Sequence, residues 1–120
     1  LFVIRSAGNT AFAAAIASVE FSVLELATPL VMVMGHSSCG AVTAARSGAA
    51  PTPLLTELLT PIRAAISPDQ DLEAAIKANA RETAQQLISR SNVIEAAVNK
   101  GNLRIVVGYF DIGSGTVTLV

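Results

Sequence analysis

The only histidine and the only cysteine of the chain lie three residues apart, at His36 and Cys39. Imidazole nitrogen and thiolate sulfur are two of the ligand types that zinc binds in proteins, and at this spacing both can reach one ion. The simpler interpretation is a hydrogen-bonded imidazole beside a small buried hydrophobic side chain. The first interpretation predicts half of a metal site, and the second predicts only a packed turn.

Two other chemistries fit these residues less well. Cys39 as nucleophile and His36 as base would make a thiol-dependent hydrolase, but residues three apart across a tight turn need not form the required hydrogen bond. Gly35 and Gly40 have the spacing of a phosphate-binding loop, but the Lys-Ser/Thr ending of such a loop is absent. We expect both glycines instead to allow a tight turn and a close approach to the metal.

The flanking elements would place this turn at the carboxyl edge of a sheet. Residues 30–34 form a continuous apolar run, which is typical of a strand inside a parallel sheet, and a helix is predicted over 40–47. Asp111 follows another predicted strand, 103–109, and should therefore lie at the same edge. There we expect it to stabilise a turn rather than to bind metal.

The remaining elements predict an α/β fold, a mostly parallel sheet flanked by helices with a C-terminal hairpin strand, in a single domain spanning residues 1–120. Further strands are predicted over 1–5 and 116–120. Helices are predicted over 12–27, 72–89 and 93–99, and residues 54–66 are predicted as a short helix pair broken near Pro61. Glu20 lies near the apolar side of its helix, where we expect a structural hydrogen bond or ion pair.

Composition limits the partners of the chain. Only 14% of the 120 residues are charged and the net charge is −1, so we expect no nucleic-acid partner. Charged residues and a proline interrupt the longest apolar stretch, so we expect no membrane span. Hydrophobic residues make up 52% of the chain, which predicts apolar surface that meets another chain. A single cysteine excludes an internal disulfide, and we expect a cytoplasmic location.

Four blocks of the sequence resemble the β class of carbonic anhydrases. The most specific is GHSSCGAV at residues 35–42, which matches the second zinc-ligand motif of that family. LFVIRSAGN at 1–9 resembles the family's strand and arginine-bearing loop, and SVEFSV at 18–23 resembles its next helix. GYFDIGSGTV at 108–117 resembles its terminal hairpin, so the resemblance spans almost the whole chain.

The resemblance implies reversible hydration of carbon dioxide to bicarbonate, with Zn²⁺ as the cofactor. It implies His36 and Cys39 as zinc ligands, and it implies that Arg5 and Gly40 lie in the bicarbonate-binding region. It also implies a homodimer or a higher homo-oligomer. The family's Cys-x-Asp-x-Arg motif carries the first zinc cysteine and an Asp–Arg pair, and it would lie upstream of residue 1. No catalytic residue is therefore assigned within these 120 residues.

The chain opens on Leu1, within an apolar segment and without an initiator methionine. We therefore expect a truncated product or a partial sequence rather than a naturally short paralogue. With two zinc ligands, the chain alone is expected to be impaired or inactive. The alternative function is a non-catalytic scaffold, similar to a carbonic anhydrase, that pairs with another chain through its apolar surface.

Overall fold

A three-stranded sheet in the order β1-β2-β3 forms the centre of the computed structural model, which describes residues 1–48 and 50–120. The strands are β1 (Leu30–His36), β2 (Arg104–Asp111) and β3 (Thr116–Leu119). β1 and β2 are parallel, with His36 opposite Phe110, whereas β2 and β3 form an antiparallel hairpin. The predicted α/β class with a C-terminal hairpin strand is confirmed, and the sheet contains one parallel and one antiparallel pair.

The described residues also form five helices, preceded by a 3-10 turn at Ala7–Asn9. They are α1 (Ala13–Glu25), α2 (Gly40–Ser47), α3 (Pro53–Ala65), α4 (Leu72–Ser89) and α5 (Asn92–Asn99). Side-chain oxygens of Thr52, Asp71 and Ser91 accept backbone N–H groups at the starts of α3, α4 and α5. These caps satisfy N–H groups that have no partner within the helix, so they explain where the three helices begin.

Two predicted elements differ from the structure. Residues 1–5 do not form a strand: all five are exposed, and β1 pairs with β2 instead. The predicted break near Pro61 is also wrong, because α3 runs through this proline. Leu59 and Ile62, on either side of it, are almost completely buried in one cluster, and this packing outweighs the hydrogen bond that proline cannot donate.

Helix α4 joins two hydrophobic clusters. Its Ala80 and Leu87 pack in a cluster with Val33 of β1 and with residues of α1 and α5. Its Ala75 and Ile76 pack in a second cluster with Cys39, α2 and α3. The predicted hydrogen bond of Glu20 is confirmed, because its carboxylate accepts the Ser91 hydroxyl at 2.6 Å and links α1 to the start of α5.

The two faces of the sheet differ in their covering. Val33 and Gly35 of β1 are buried on the face that carries α4, whereas Leu30, Met32 and Met34 alternate with them and are exposed. On this open face a Cβ at Gly108 would lie 3.1 Å from Met32 Sδ and 3.4 Å from a methyl carbon of Val117. On the open face, side chains of β1 and β3 therefore lie beside the backbone of β2 at Gly108. Within the described part of the chain, no helix is long and apolar enough to cross a membrane.

Candidate metal centre

The turn between β1 and α2 carries the two predicted ligands. His36 is the last residue of β1, and Cys39 caps the first turn of α2. The backbone N–H of Ser37 donates to the carbonyl of Phe110 at 2.9 Å, and this bond extends the strand pairing by one residue. Ser38 then adopts a left-handed conformation with a φ of 58°, which is uncommon for a residue other than glycine. The chain thus changes from strand to helix within three residues.

The imidazole of His36 is exposed and held in one orientation. Its Nδ1 lies 2.9 Å from the carbonyl oxygen of Ser37. A carbonyl oxygen can only accept, so Nδ1 donates in this bond, and in the neutral imidazole Nε2 then has the lone pair. Such a hydrogen bond on one ring nitrogen is the usual way in which proteins orient the other nitrogen toward a metal.

Cys39 lies on the inner side of the same turn. Its residue surface is 6% exposed and it packs in the cluster formed by α2, α3 and α4. Its carbonyl accepts both the N–H and the hydroxyl of Thr43 at 3.0 Å, which fixes the first turn of α2. The hydrogen bond of the His36 ring goes to Ser37, so the structure gives no support to a hydrolase in which His36 activates the thiol.

The chemistry of the donor set fits half of a zinc site. A thiol sulfur and an imidazole nitrogen are the two softest ligands that zinc commonly takes, and they share one short turn. A zinc site with an open position takes three protein ligands. Across residues 1–48 and 50–120, no group of three His, Cys, Asp or Glu side chains is arranged to hold a metal ion. At this turn the described residues therefore offer two candidate ligands, His36 and Cys39.

Asp111 lies at the same sheet edge, as predicted, and it stabilises the β2–β3 turn. Its carboxylate accepts the N–H of Gly113 at 3.3 Å and both the N–H and the hydroxyl of Ser114, at 3.2 and 2.6 Å. These bonds, that of the Ser114 hydroxyl first, hold the pKa of Asp111 below its ordinary value. Both carboxylate oxygens are engaged in the turn, which favours the predicted turn role over a metal role.

The other predicted residues have mixed outcomes. Gly35 does allow a close approach, but to helix α4: a Cβ there would lie 2.7 Å from a methyl carbon of Ile76. At Gly40 an added Cβ would meet no protein atom within 4 Å and φ is not positive, so protein packing does not require a glycine there, and the close approach to a metal stays a prediction. Gly40 is the exposed first residue of α2, next to Cys39. Arg5 is exposed and precedes the 3-10 turn.

Three residues that hold the turn in place were not predicted from the sequence. The Asn9 amide donates to the carbonyl of Met34, two residues before His36. The Asn79 amide donates to the carbonyl of Gly8 at 2.7 Å and so ties this loop to α4. The Ser37 hydroxyl accepts the N–H of Ile112 at 2.9 Å. Only Asn9 gave a local signal, because asparagine after glycine is typical of a turn with positive φ.

Comparison with known proteins places these features in a family. The carbonic anhydrase family profile matches residues 1–117. A carbonic anhydrase of Mycolicibacterium smegmatis is 34% identical over 131 aligned positions, which cover 99% of this chain and 62% of that protein. Carbonic anhydrase 2 of Mycobacterium tuberculosis is 30% identical with the same coverage. The chain therefore spans less than two thirds of the length of these relatives.

The fold leads to the same family. The β-carbonic anhydrase CafA of Aspergillus fumigatus superposes with a TM-score of 0.83 at 25% identity, over 98% of this chain and 62% of that one. One of two tetrameric β-carbonic anhydrases of Sordaria macrospora superposes with a TM-score of 0.79 at 22% identity, over 99% of this chain and 67% of that one. With the profile match over nearly all of its residues, this chain belongs to the β-class carbonic anhydrase family.

Proposed function

We propose that the β1–α2 turn is half of a zinc site that serves the reversible hydration of carbon dioxide to bicarbonate. The observation that carries this proposal is the turn itself. It presents an oriented imidazole and a buried thiol three residues apart at a sheet edge. Membership of the carbonic anhydrase family gives that donor pair its reaction.

His36 and Cys39 have different tasks in this proposal. The Nε2 of His36 would hold the metal, and the hydrogen bond from Nδ1 to Ser37 keeps the ring in place. The Cys39 thiol would be the second ligand, and packing against α2 and α3 restricts its motion. When bound, zinc supplies a nucleophile for carbon dioxide near neutral pH by lowering the pKa of water.

We assign Arg5 and Gly40 to the bicarbonate-binding region. The open space above Gly40, next to Cys39, leaves room for a small anion beside the metal ligands. The guanidinium of Arg5 is exposed and would attract the product bicarbonate. Replacing Arg5 with alanine should raise the KM for bicarbonate in a longer, active form of the protein and leave its zinc content unchanged.

The 120 residues by themselves should hydrate carbon dioxide only weakly. Two protein ligands leave two zinc positions to solvent or buffer, which weakens metal binding and loosens the geometry of the site. A stopped-flow assay of carbon dioxide hydration on the zinc-loaded chain provides the test. We expect activity far below that of a longer β-carbonic anhydrase, and turnover equal to such an enzyme would contradict the two-ligand account.

A homo-oligomer is the partner arrangement that the open face of the sheet supports. Met32, Met34, Val117 and Leu119 are each at least 42% exposed on β1 and β3. Contiguous apolar surface of this kind commonly marks an interface, and the structural relative from Sordaria macrospora is a tetramer. We propose that a second copy of this chain covers the open face. The same face supports the alternative of a non-catalytic scaffold, in which pairing rather than hydration is the function.

Light scattering across micromolar concentrations tests the oligomer. The chain should be a dimer or larger, and Met32→Lys should shift it toward monomer because a charge would be buried in the interface. Leu54→Lys is the matched control, since Leu54 is 78% exposed on α3, outside the sheet. A soluble monomer at every concentration would contradict the proposal. Zinc binding without catalysis in a longer form would favour the scaffold.

A further inference from the structure

Two hydrogen bonds join the metal-ligand turn to the distant β2–β3 hairpin, and both involve Ser37. Its N–H donates to the carbonyl of Phe110, and its hydroxyl accepts the N–H of Ile112, each at 2.9 Å. The partners are more than 70 residues away in sequence, so these bonds depend on the fold rather than on local structure. A single residue between the two candidate ligands, through its backbone N–H and its hydroxyl, thus connects them to the C-terminal hairpin.

The hairpin end of this connection is stiffened from within. The Asp111 carboxylate accepts N–H groups of Gly113 and Ser114, and its backbone carbonyl accepts the N–H of Gly115 at 2.8 Å. Ile112 lies between these anchored residues, so its N–H has a defined direction. The Ser37 hydroxyl therefore binds to a fixed point rather than to a mobile loop.

The ring of His36 depends on the same residue. Its Nδ1 hydrogen bonds to the carbonyl of Ser37, so any rotation of the Ser37 peptide would move the acceptor that orients the imidazole. Cys39 is fixed independently, through Thr43 and the cluster beneath α2. Between these two ligands stands Ser38 with its positive φ, a conformation that the surroundings must maintain.

We propose that Ser37 is a positioning residue for the metal site: by accepting the N–H of Ile112, its hydroxyl fixes the imidazole of His36 relative to the thiol of Cys39. The inference rests on the proposed zinc role of that pair. Hydrogen-bonded neighbours of metal ligands commonly change metal affinity by about 10–100-fold when they are removed. We expect an effect of that size here.

The test measures metal binding rather than activity. Zn²⁺ affinity is determined by competition with a chromophoric chelator, and Co²⁺ is titrated to follow the absorption of the cobalt–thiolate bond. Ser37→Ala should weaken Zn²⁺ binding by about 10–100-fold, and Ser37→Thr, which keeps the hydroxyl, should restore it. Ser18→Ala is the matched control, because the Ser18 hydroxyl donates only to the carbonyl of Ala14 in its own helix. It should bind Zn²⁺ like the parent chain.

A second variant approaches the same connection from the hairpin. Asp111→Ala removes the contacts that hold Ile112 in place, together with the interaction between the Asp111 carboxylate and the Ser37 hydroxyl, and should weaken Zn²⁺ binding in the same direction. The thermal midpoint of each metal-free variant is measured alongside, because a purely structural serine would lower the midpoint and leave the metal affinity of the folded chain unchanged. Unchanged affinity in both variants would overturn the proposal.

Amide hydrogen exchange on the metal-free chain separates this inference from the zinc proposal. Loss of one hydrogen bond of about 1 kcal/mol corresponds to roughly fivefold more frequent opening. In Ser37→Ala, the amides of Ser38, Cys39 and Gly40 should therefore exchange several-fold faster, whether or not the parent chain binds zinc. Unchanged exchange at these amides would overturn the positioning role, whereas a parent chain without Zn²⁺ affinity would overturn only the proposed function.

Discussion

Two apolar segments of similar composition have different fates in this protein. Residues 1–4 are Leu-Phe-Val-Ile and remain exposed without a strand partner, whereas residues 30–34 are Leu-Val-Met-Val-Met and form most of β1. The difference lies in their neighbours. β1 pairs with β2 over seven residues and packs Gly35 against Ile76 of α4. For the first segment, no strand among the described residues supplies a ladder.

The comparison shows that an apolar pattern states only what a segment can bury. A strand also needs backbone partners, because unpaired N–H and C=O groups gain nothing from an extended conformation. β1 has both an apolar face to bury and a backbone partner in β2, so the turn that follows it has a fixed position. The candidate metal ligands therefore depend on the pairing of β1 as much as on their own sequence motif.

The largest expected effect is a difference in unfolding free energy between a substitution that affects the packing of β1 and one in residues 1–4. Ile76→Ala removes a 1% exposed side chain that packs against β1, and should lower the free energy of unfolding by about 2–5 kcal/mol. Ile4→Ala, in the unpaired segment where Ile4 is 38% exposed, should cost less than about 1 kcal/mol. Urea denaturation of both variants provides the measurement. Equal losses would show that residues 1–5 are packed as firmly as β1.

A smaller effect should appear where β1 approaches α4. Gly35→Ala places a methyl group 2.7 Å from a carbon of Ile76 and should cost about 1–3 kcal/mol through overpacking. Gly113→Ala is the matched control, since its new Cβ would meet only the Asp111 carboxylate, at 3.7 Å. A Gly35→Ala variant as stable as the parent chain would mean that β1 and α4 can separate at this point without cost.

The smallest effect concerns acid stability at the carboxyl end of β2, beside β1. Hydrogen bonds from Ser114 first, then Gly113, lower the pKa of Asp111 in the folded chain. The unfolded chain then binds more protons in this range, so stability rises with pH there and falls as pH drops through the lowered pKa. Between about pH 5 and about pH 2, the parent chain should lose more stability than Asp111→Asn. Parallel pH profiles of the two proteins would contradict this role.

The sequence predicts the parts of the fold that depend on local chemistry. Helix α2 ends at Gly48, which has a φ of 76°, and α4 and α5 begin at the caps Asp71 and Ser91. The prediction from sequence is wrong where tertiary packing determines the local structure, as at Pro61 inside α3. At the site, the residue types of His36 and Cys39 indicate zinc. No sequence pattern, however, predicts the hydrogen bonds by which Ser37 and Asn79 hold the β1–α2 turn in place. Those contacts join residues more than 70 positions apart, which no local pattern records.

The most direct test of the central claim is the zinc content and affinity of two ligand variants. His36→Ala removes the imidazole, and Cys39→Ser replaces the thiol with a hydroxyl, which is a poor zinc ligand. The parent chain should bind zinc measurably. A longer form that includes further N-terminal sequence should bind it more tightly. Each substitution should abolish most of that binding while leaving the helical circular dichroism intact. Full zinc retention by both variants would contradict the assignment of the β1–α2 turn as a metal site.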